Sequence, residues 1–168
     1  MVINLLKYTV VFVVSVLLQV LIFNNILIAR MIAPFFYILF IILLPFDTPR
    51  ALLLFVSFLL GLLVDVFTNT PGVHASASLL IGFLRPGILR LISSRETLDS
   101  VAAPRVENMS LNWFAGYTAF MVVIHHFFLF FIEAFTFSDV LMTLVRIVLS
   151  SILSIVLIVL SQFLIFRK

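Results

Sequence analysis

The sequence predicts an all-α integral membrane protein, a compact bundle of six crossing helices forming a single domain over residues 1–168. Three observations carry this. Hydrophobic residues make up 64% of the 168 and charged ones 10%, with a mean hydropathy of +1.36, whereas soluble domains are about half apolar and about a quarter charged. The apolar residues fall into six runs, most of them the length a bilayer requires. The few charged residues collect between the runs, and no polar stretch is long enough to form a soluble module.

A crossing helix needs roughly 17–25 mostly apolar residues whose backbone groups pair with one another. The first run, about 5–28, has its apolar core after Lys7, from Tyr8 to Ile28; that core is longer than a secretory signal's, so it reads as an uncleaved signal-anchor helix. The second, about 31–46, is short and carries Pro34 and Pro45. Pro45-Phe46-Asp47-Thr48-Pro49 forms a turn before the third run, about 50–68. Thr68-Asn69-Thr70-Pro71-Gly72 turns the chain into the fourth, about 73–92, which contains Arg85-Pro86-Gly87. The polar loop 93–111 is split by Pro104, and its first half predicts a surface helix beside the membrane. The fifth run is about 112–135 and the sixth about 139–166, with Ser138 as an N-cap between them.

Basic residues are retained on the cytoplasmic side. With six crossings and a cytoplasmic N-terminus, Lys7, Arg50, Arg90, Arg95, Arg105, Arg167 and Lys168 fall inside together with loop 93–111, and Arg30 falls outside. Both termini are therefore expected in the cytoplasm. The formal charge of +3 is spread singly along helix flanks and forms no patch for nucleic acid. With no cysteine in the chain, disulfides, thiolate metal sites and cysteine catalysis are excluded.

Charges inside a bilayer cost about 3 kcal/mol or more and usually face a partner. Rise per residue puts Asp65, His74 and Arg146 at similar depth in the outer leaflet, with Glu133 closing the fifth run at that face. An Asp65–Arg146 ion pair with His74 beside it would lock three helices; alternatively Asp65 reaches water and Arg146 snorkels outward. Arg85 either lies within the membrane or marks a kink from which the helix runs on obliquely; alternatively it snorkels to the cytoplasmic headgroups. His125 and His126 diverge by about 100° on a helix, too far to share a metal; one is expected against a carboxylate or carbonyl and the other against a neighbouring helix. Gln19 and Asn24-Asn25 offer hydrogen bonds between helices worth roughly 1 kcal/mol or less. Ser76, Ser150, Ser151 and Ser154 are small polar positions for helix packing, either against a partner or bonding their own helix carbonyls.

No phosphate-binding glycine loop, His-Glu-x-x-His or Gly-x-Ser-x-Gly is present. No catalytic residue, cofactor or metal site is expected, and the chain is not read as an enzyme. The stretch Gly61-Leu62-Leu63-Val64-Asp65-Val66-Phe67-Thr68-Asn69-Thr70-Pro71-Gly72-Val73-His74-Ala75-Ser76-Ala77 resembles the central signature of the rod shape-determining protein MreD. In that family a Gly-x-x-x-Asp helix end runs into a Pro-Gly turn and a helix of small residues. The His-Ala-Ser-Ala wording, His125-His126 and Glu133 look most like its Bacteroidota-type members. The signature positions carried over are Gly61, Asp65, Pro71 and Gly72.

The resemblance implies a non-enzymatic subunit of the cell-elongation machinery in the bacterial inner membrane. It would bind the bitopic protein MreC and, through it, connect MreB filaments to RodA and a class B penicillin-binding transpeptidase, regulating lateral peptidoglycan synthesis and cell shape. The competing function is that of a vitamin-type substrate-binding subunit of an energy-coupling-factor transporter, also a small six-helix bundle. Asp65, His74 and Arg146 would then line a solute pocket. Against it stands a single tryptophan, Trp113, placed at the cytoplasmic interface.

Overall fold

The computed structural model describes residues 2–26, 31–135 and 139–165. Arg30, Ser138, Arg167 and Lys168, which entered the topology and capping expectations, lie outside the described residues. Seven α-helices follow in order: α1 Val2–Leu21, α2 Ile38–Leu43, α3 Arg50–Thr68, α4 Val73–Ile92, α5 Arg95–Ser100, α6 Leu111–Ala134 and α7 Val140–Ile165. Among the described residues, five helical stretches are long and apolar enough to cross a membrane: Leu6–Asn25, Arg50–Thr68, Val73–Ile92, Leu111–Ala134 and Val140–Leu164.

The second run departs from expectation. It holds a helix of only six residues, Ile38–Leu43, preceded by irregular chain through Ala33–Phe36. The prolines explain the break. A residue before proline is pushed out of the helical region, and Leu44, ahead of Pro45, ends α2 at φ −57° and ψ 147°. Every residue from 34 to 44 is nonetheless buried, and Phe35 to Leu44 belong to the apolar core. The segment starts near the α3–α4 turn, where the Phe35 ring lies 5.5 Å from that of His74 and Ala33 N–H donates to Ser150 Oγ part-way along α7, and finishes beside loop 93–111, where Phe46 N–H donates to Ala102 O. It therefore runs from one end of the bundle to the other, packed on α1 and α6.

The long helices pack in the sequence α1–α3–α4–α6–α7. The α3–α4 pair makes two close approaches. A Cβ on Gly61 would lie 2.3 Å from the His74 carbonyl oxygen and 2.6 Å from Ala75 Cα, and one on Gly82 would lie 2.5 Å from Ser57 Oγ. Glycine is required at 61 because the obstacle is backbone, which cannot swing aside. Gly61→Ala is expected to cost about 2–3 kcal/mol through overpacking, whereas Gly116→Ala, with nothing within 4 Å, should be neutral or slightly stabilising. Thermal unfolding of both variants in detergent checks the contrast.

Helix α4 continues through Pro86 to Ile92 without interruption, so its 20 residues span about 30 Å. Loop 93–111 carries the expected surface helix, α5, capped by Ser94 Oγ accepting from Thr97 N–H at 3.2 Å. Ser110 caps α6 in the same manner through Trp113 N–H. The Trp113 indole donates to Ser93 Oγ at 3.0 Å, tying the start of α6 to the end of α4.

Candidate functional site

Most of the hydrogen-bonded polar side chains within the spans fall into three constellations, and each one fixes backbone; Ser57, Thr118, Ser151 and Gln162 are buried without a partner among the described residues. The first is the α3–α4 hairpin. Asp65 sits one helical turn after Gly61, on the same face of α3, and is 3% exposed. Its Oδ1 accepts from His74 N–H, His74 Nδ1 and the Thr70 hydroxyl, each at 2.9 Å, and its Oδ2 accepts from Ala75 N–H at 2.9 Å. A helix N-terminus leaves its first N–H groups unpaired and carries a partial positive charge. Gly72, in the N-cap position of α4 with φ +85°, has no side chain to meet them. Asp65 performs that capping from the preceding helix. A carboxylate only accepts, so His74 Nδ1 carries the proton between them. The turn is completed by Asn69 in the left-handed region at φ 55°, with its N–H on Asp65 O.

The second constellation holds the broken segment at the hairpin end. Gln19, completely buried in α1, accepts from Phe36 N–H at 2.7 Å and Tyr37 N–H at 3.3 Å through Oε1, and donates through Nε2 to Pro34 O and Asn24 Oδ1. From α7, Ser150 Oγ accepts from Ala33 N–H and Ser154 Oγ from Phe35 N–H at 2.9 Å. His126 extends this chain: its Nδ1 faces Val122 O at 2.8 Å and its Nε2 faces Ser154 Oγ at 3.2 Å. In the neutral ring Nδ1–H donates to the carbonyl, leaving Nε2 to accept the Ser154 hydroxyl proton. His125 turns elsewhere, with Nε2 2.6 Å from the Tyr37 hydroxyl. The Phe35 ring lies among them, 5.5 Å from His74, 5.2 Å from His126 and 5.8 Å from Phe130 between ring centroids.

Arg146 belongs to this second group, which corrects the expected Asp65–Arg146 pair. Its NH2 lies 3.1 Å from Glu133 Oε2, its Nε donates to Met31 O at 3.2 Å, and its guanidinium stacks 4.3 Å above the Phe130 ring. Asp65 already has four donors from its own hairpin and needs no cation. The expected cluster of Asp65, His74, Arg146 and Glu133 thus resolves into two pairs, Asp65–His74 and Glu133–Arg146. The latter side chains are 38% and 30% exposed, so solvent screening keeps that pair's net contribution small.

The third constellation is at the opposite end. Arg85 is 1% exposed, and its guanidinium donates to the carbonyls of Leu44 and Pro45 and, through Nε, to the Tyr117 hydroxyl at 2.9 Å. It does not snorkel, and no carboxylate among the described residues pairs with it. Of its acceptors, the Leu44 carbonyl is left open where α2 stops before Pro45, and the Pro45 carbonyl also accepts from the Thr48 hydroxyl at 2.7 Å.

The serines divide. Ser76 donates to Val73 O in its own helix. Ser150, Ser151 and Ser154 are all buried; Ser150 and Ser154 accept from the broken segment's N–H groups, a role that neither of the two expected alternatives included. Sequence reasoning missed Tyr37, Tyr117 and Phe35 entirely. Pro34 and Pro45 were the available signal, because irregular backbone at membrane depth must find side-chain partners. The chain matches no family model, no curated protein and no solved structure.

Proposed function

We propose that the chain is a non-enzymatic inner-membrane subunit of the bacterial cell-elongation complex, similar to MreD. In it the five long helices and segment 31–46 make six crossings, with both termini and loop 93–111 in the cytoplasm. It binds MreC, and through MreC it acts on MreB, RodA and a class B penicillin-binding transpeptidase. Its role is to regulate lateral wall synthesis by holding MreC in place.

The observation that carries this function is the commitment of the hairpin carboxylate, of the polar groups around residues 33–37 and of Arg85 to the chain's own backbone, although Gln162, Thr118 and Ser151 are buried without a partner among the described residues. Asp65 caps α4, Gln19, Ser150 and Ser154 hold residues 33–37, and Arg85 holds residues 44–45. A carrier needs such groups pointed at a solute, and an enzyme needs them pointed at a substrate. Here they make a rigid bundle, which is what a docking subunit requires. The stretch that resembles the MreD signature, Gly61 to Ala77, is explained structurally as a tight, self-capped hairpin. The distribution of cations supports the orientation: Lys7, Arg50, Arg90, Arg95 and Arg105 cluster around adjoining cavities at one end of the bundle.

Co-purification with a tagged MreC-like protein from the same genome tests the assignment. Stable retention of the chain through detergent washing is expected. Failure to associate, together with saturable uptake of a vitamin-like solute by cells or vesicles carrying the chain, would transfer the protein to the carrier class.

A further inference from the structure

On the outer face of the α3–α4 pair lies an open notch of about 410 Å³. The two helices touch at Ser57 and Gly82, and the notch extends from there to Arg50 at the start of α3 and Arg90 in the last turn of α4. Its walls are apolar, Leu54 and Phe83 among them, and Phe83 is 68% exposed to the surroundings of the bundle. A Cβ on Gly87 would meet nothing within 4 Å, so the absence of a side chain there keeps the notch open. Both arginines are exposed, and neither forms an ion pair among the described residues, whereas Arg105 and Arg146 each have a glutamate.

From this arrangement we infer that the notch is a binding site for one anionic glycerophospholipid. An acyl chain lies along Leu54, Phe83 and Gly87, and the phosphate sits between the Arg50 and Arg90 guanidiniums. The chemistry fits at both ends. Helices long and apolar enough to span a membrane place the notch against lipid tails, and cations at their ends stand at headgroup depth, where each attracts anionic lipid. Guanidinium groups bind phosphate with two parallel hydrogen bonds. Asp47 and Asp99 line the neighbouring cavity with Arg90 and Arg95, which gives Arg90 a competing direction that the experiment must separate. The inference depends on the spanning helices and not on the association with MreC.

Native mass spectrometry of the full-length protein in mixed micelles, with dioleoyl phosphatidylglycerol or dioleoyl phosphatidylcholine as probe, tests the site. Two arginines predict retention of one phosphatidylglycerol with a preference of about thirtyfold, roughly fivefold from each cation. Arg50→Gln with Arg90→Gln should bring the two lipids to equal retention. Gly87→Leu fills the notch without touching either charge, and should lower retention of both lipids. Elution as a single symmetrical species on size exclusion confirms that each variant is folded. Equal retention of the two lipids by the unaltered protein would overturn the site, as would a phosphatidylglycerol preference that survives both sets of substitutions. An Arg90→Gln effect seen only when Asp47 and Asp99 are intact would overturn it too, because Arg90 would then belong to the acidic cavity.

Discussion

Gln19→Leu should be among the most destabilising single substitutions in this protein. Leucine matches the surrounding apolar helix and is a good helix former, so local propensity predicts no harm. The damage arises elsewhere: Phe36 N–H, Tyr37 N–H and Pro34 O lose their partner in a place without water. Each orphaned buried group costs about 1–3 kcal/mol, giving an expected loss on the order of 3–6 kcal/mol. Gln19→Glu should be milder, since a protonated carboxyl keeps an acceptor for Phe36 N–H and an O–H donor for Pro34 O, losing only the second donor to Asn24. Thermal unfolding in detergent, compared with the outward-facing control Leu17→Ala on the same helix, measures the effect. A Gln19→Leu protein as stable as that control would refute the bracing role.

Asp65→Leu is the second large effect. It removes the acceptor for two N–H groups at the start of α4, and for the Thr70 hydroxyl and the His74 ring. Loss of an N-cap costs about 1 kcal/mol at a water-exposed terminus; here the buried donors have no solvent to fall back on, and about 3–5 kcal/mol is expected. Asp65→Asn separates charge from shape, because its amide can accept from His74 N–H but presents NH2 towards Ala75 N–H, a donor facing a donor. An intermediate loss of about 2 kcal/mol follows. Charge reversal at Asp65 should not be rescued by reversal at Arg146, because Arg146 is paired with Glu133. Stability of the two single variants and the double variant, read as a double-mutant cycle, checks this.

Much of the architecture was legible in the chain. Turn residues at Pro45–Pro49 and Thr68–Gly72 bounded α3 to within a residue, and loop 93–111 carried its short helix ahead of Pro104. Composition, run length and the placement of charges together pointed to helices long and apolar enough to cross a membrane, and five such helices are present among the described residues. The second run was misread because hydropathy reports burial and not conformation: residues 34–44 are as apolar as a spanning helix, yet Pro34 and Pro45 break it, and its polar backbone is met by side chains from distant parts of the chain. Those partners had no local signature. Gln19 and Phe36 are 17 residues apart, Ser154 and Phe35 are 119, and Arg85 and Leu44 are 41. The hairpin was the opposite case. Gly61, Asp65, Gly72 and His74 lie within 14 residues of sequence, so their association was readable even though the capping geometry was not. Depth by helical rise correctly put Asp65 beside His74. It could not show that the carboxylate was already satisfied by backbone donors, and therefore assigned it a cation that lies with Glu133.

Arg85 shows how the same physics serves the other end of the bundle. A buried cation without a carboxylate is costly, and retaining one is reasonable only where it satisfies something that would cost more. The Leu44 carbonyl, left open where proline at 45 ends α2, is that something; the Pro45 carbonyl, already accepting from Thr48, takes Arg85 as a further donor.

Whether buried segment 31–46 carries the chain across the membrane is decided by labelling single cysteines placed on either side of it. The protein contains no cysteine, so the background is clean. Asn25→Cys and Asp47→Cys are both at exposed positions and bracket the segment. An impermeant maleimide applied to intact cells lacking the outer-membrane barrier should label position 25 at once and position 47 only after the inner membrane is opened. Labelling of both from the same side would contradict the six-crossing topology, because the chain between them would then not cross.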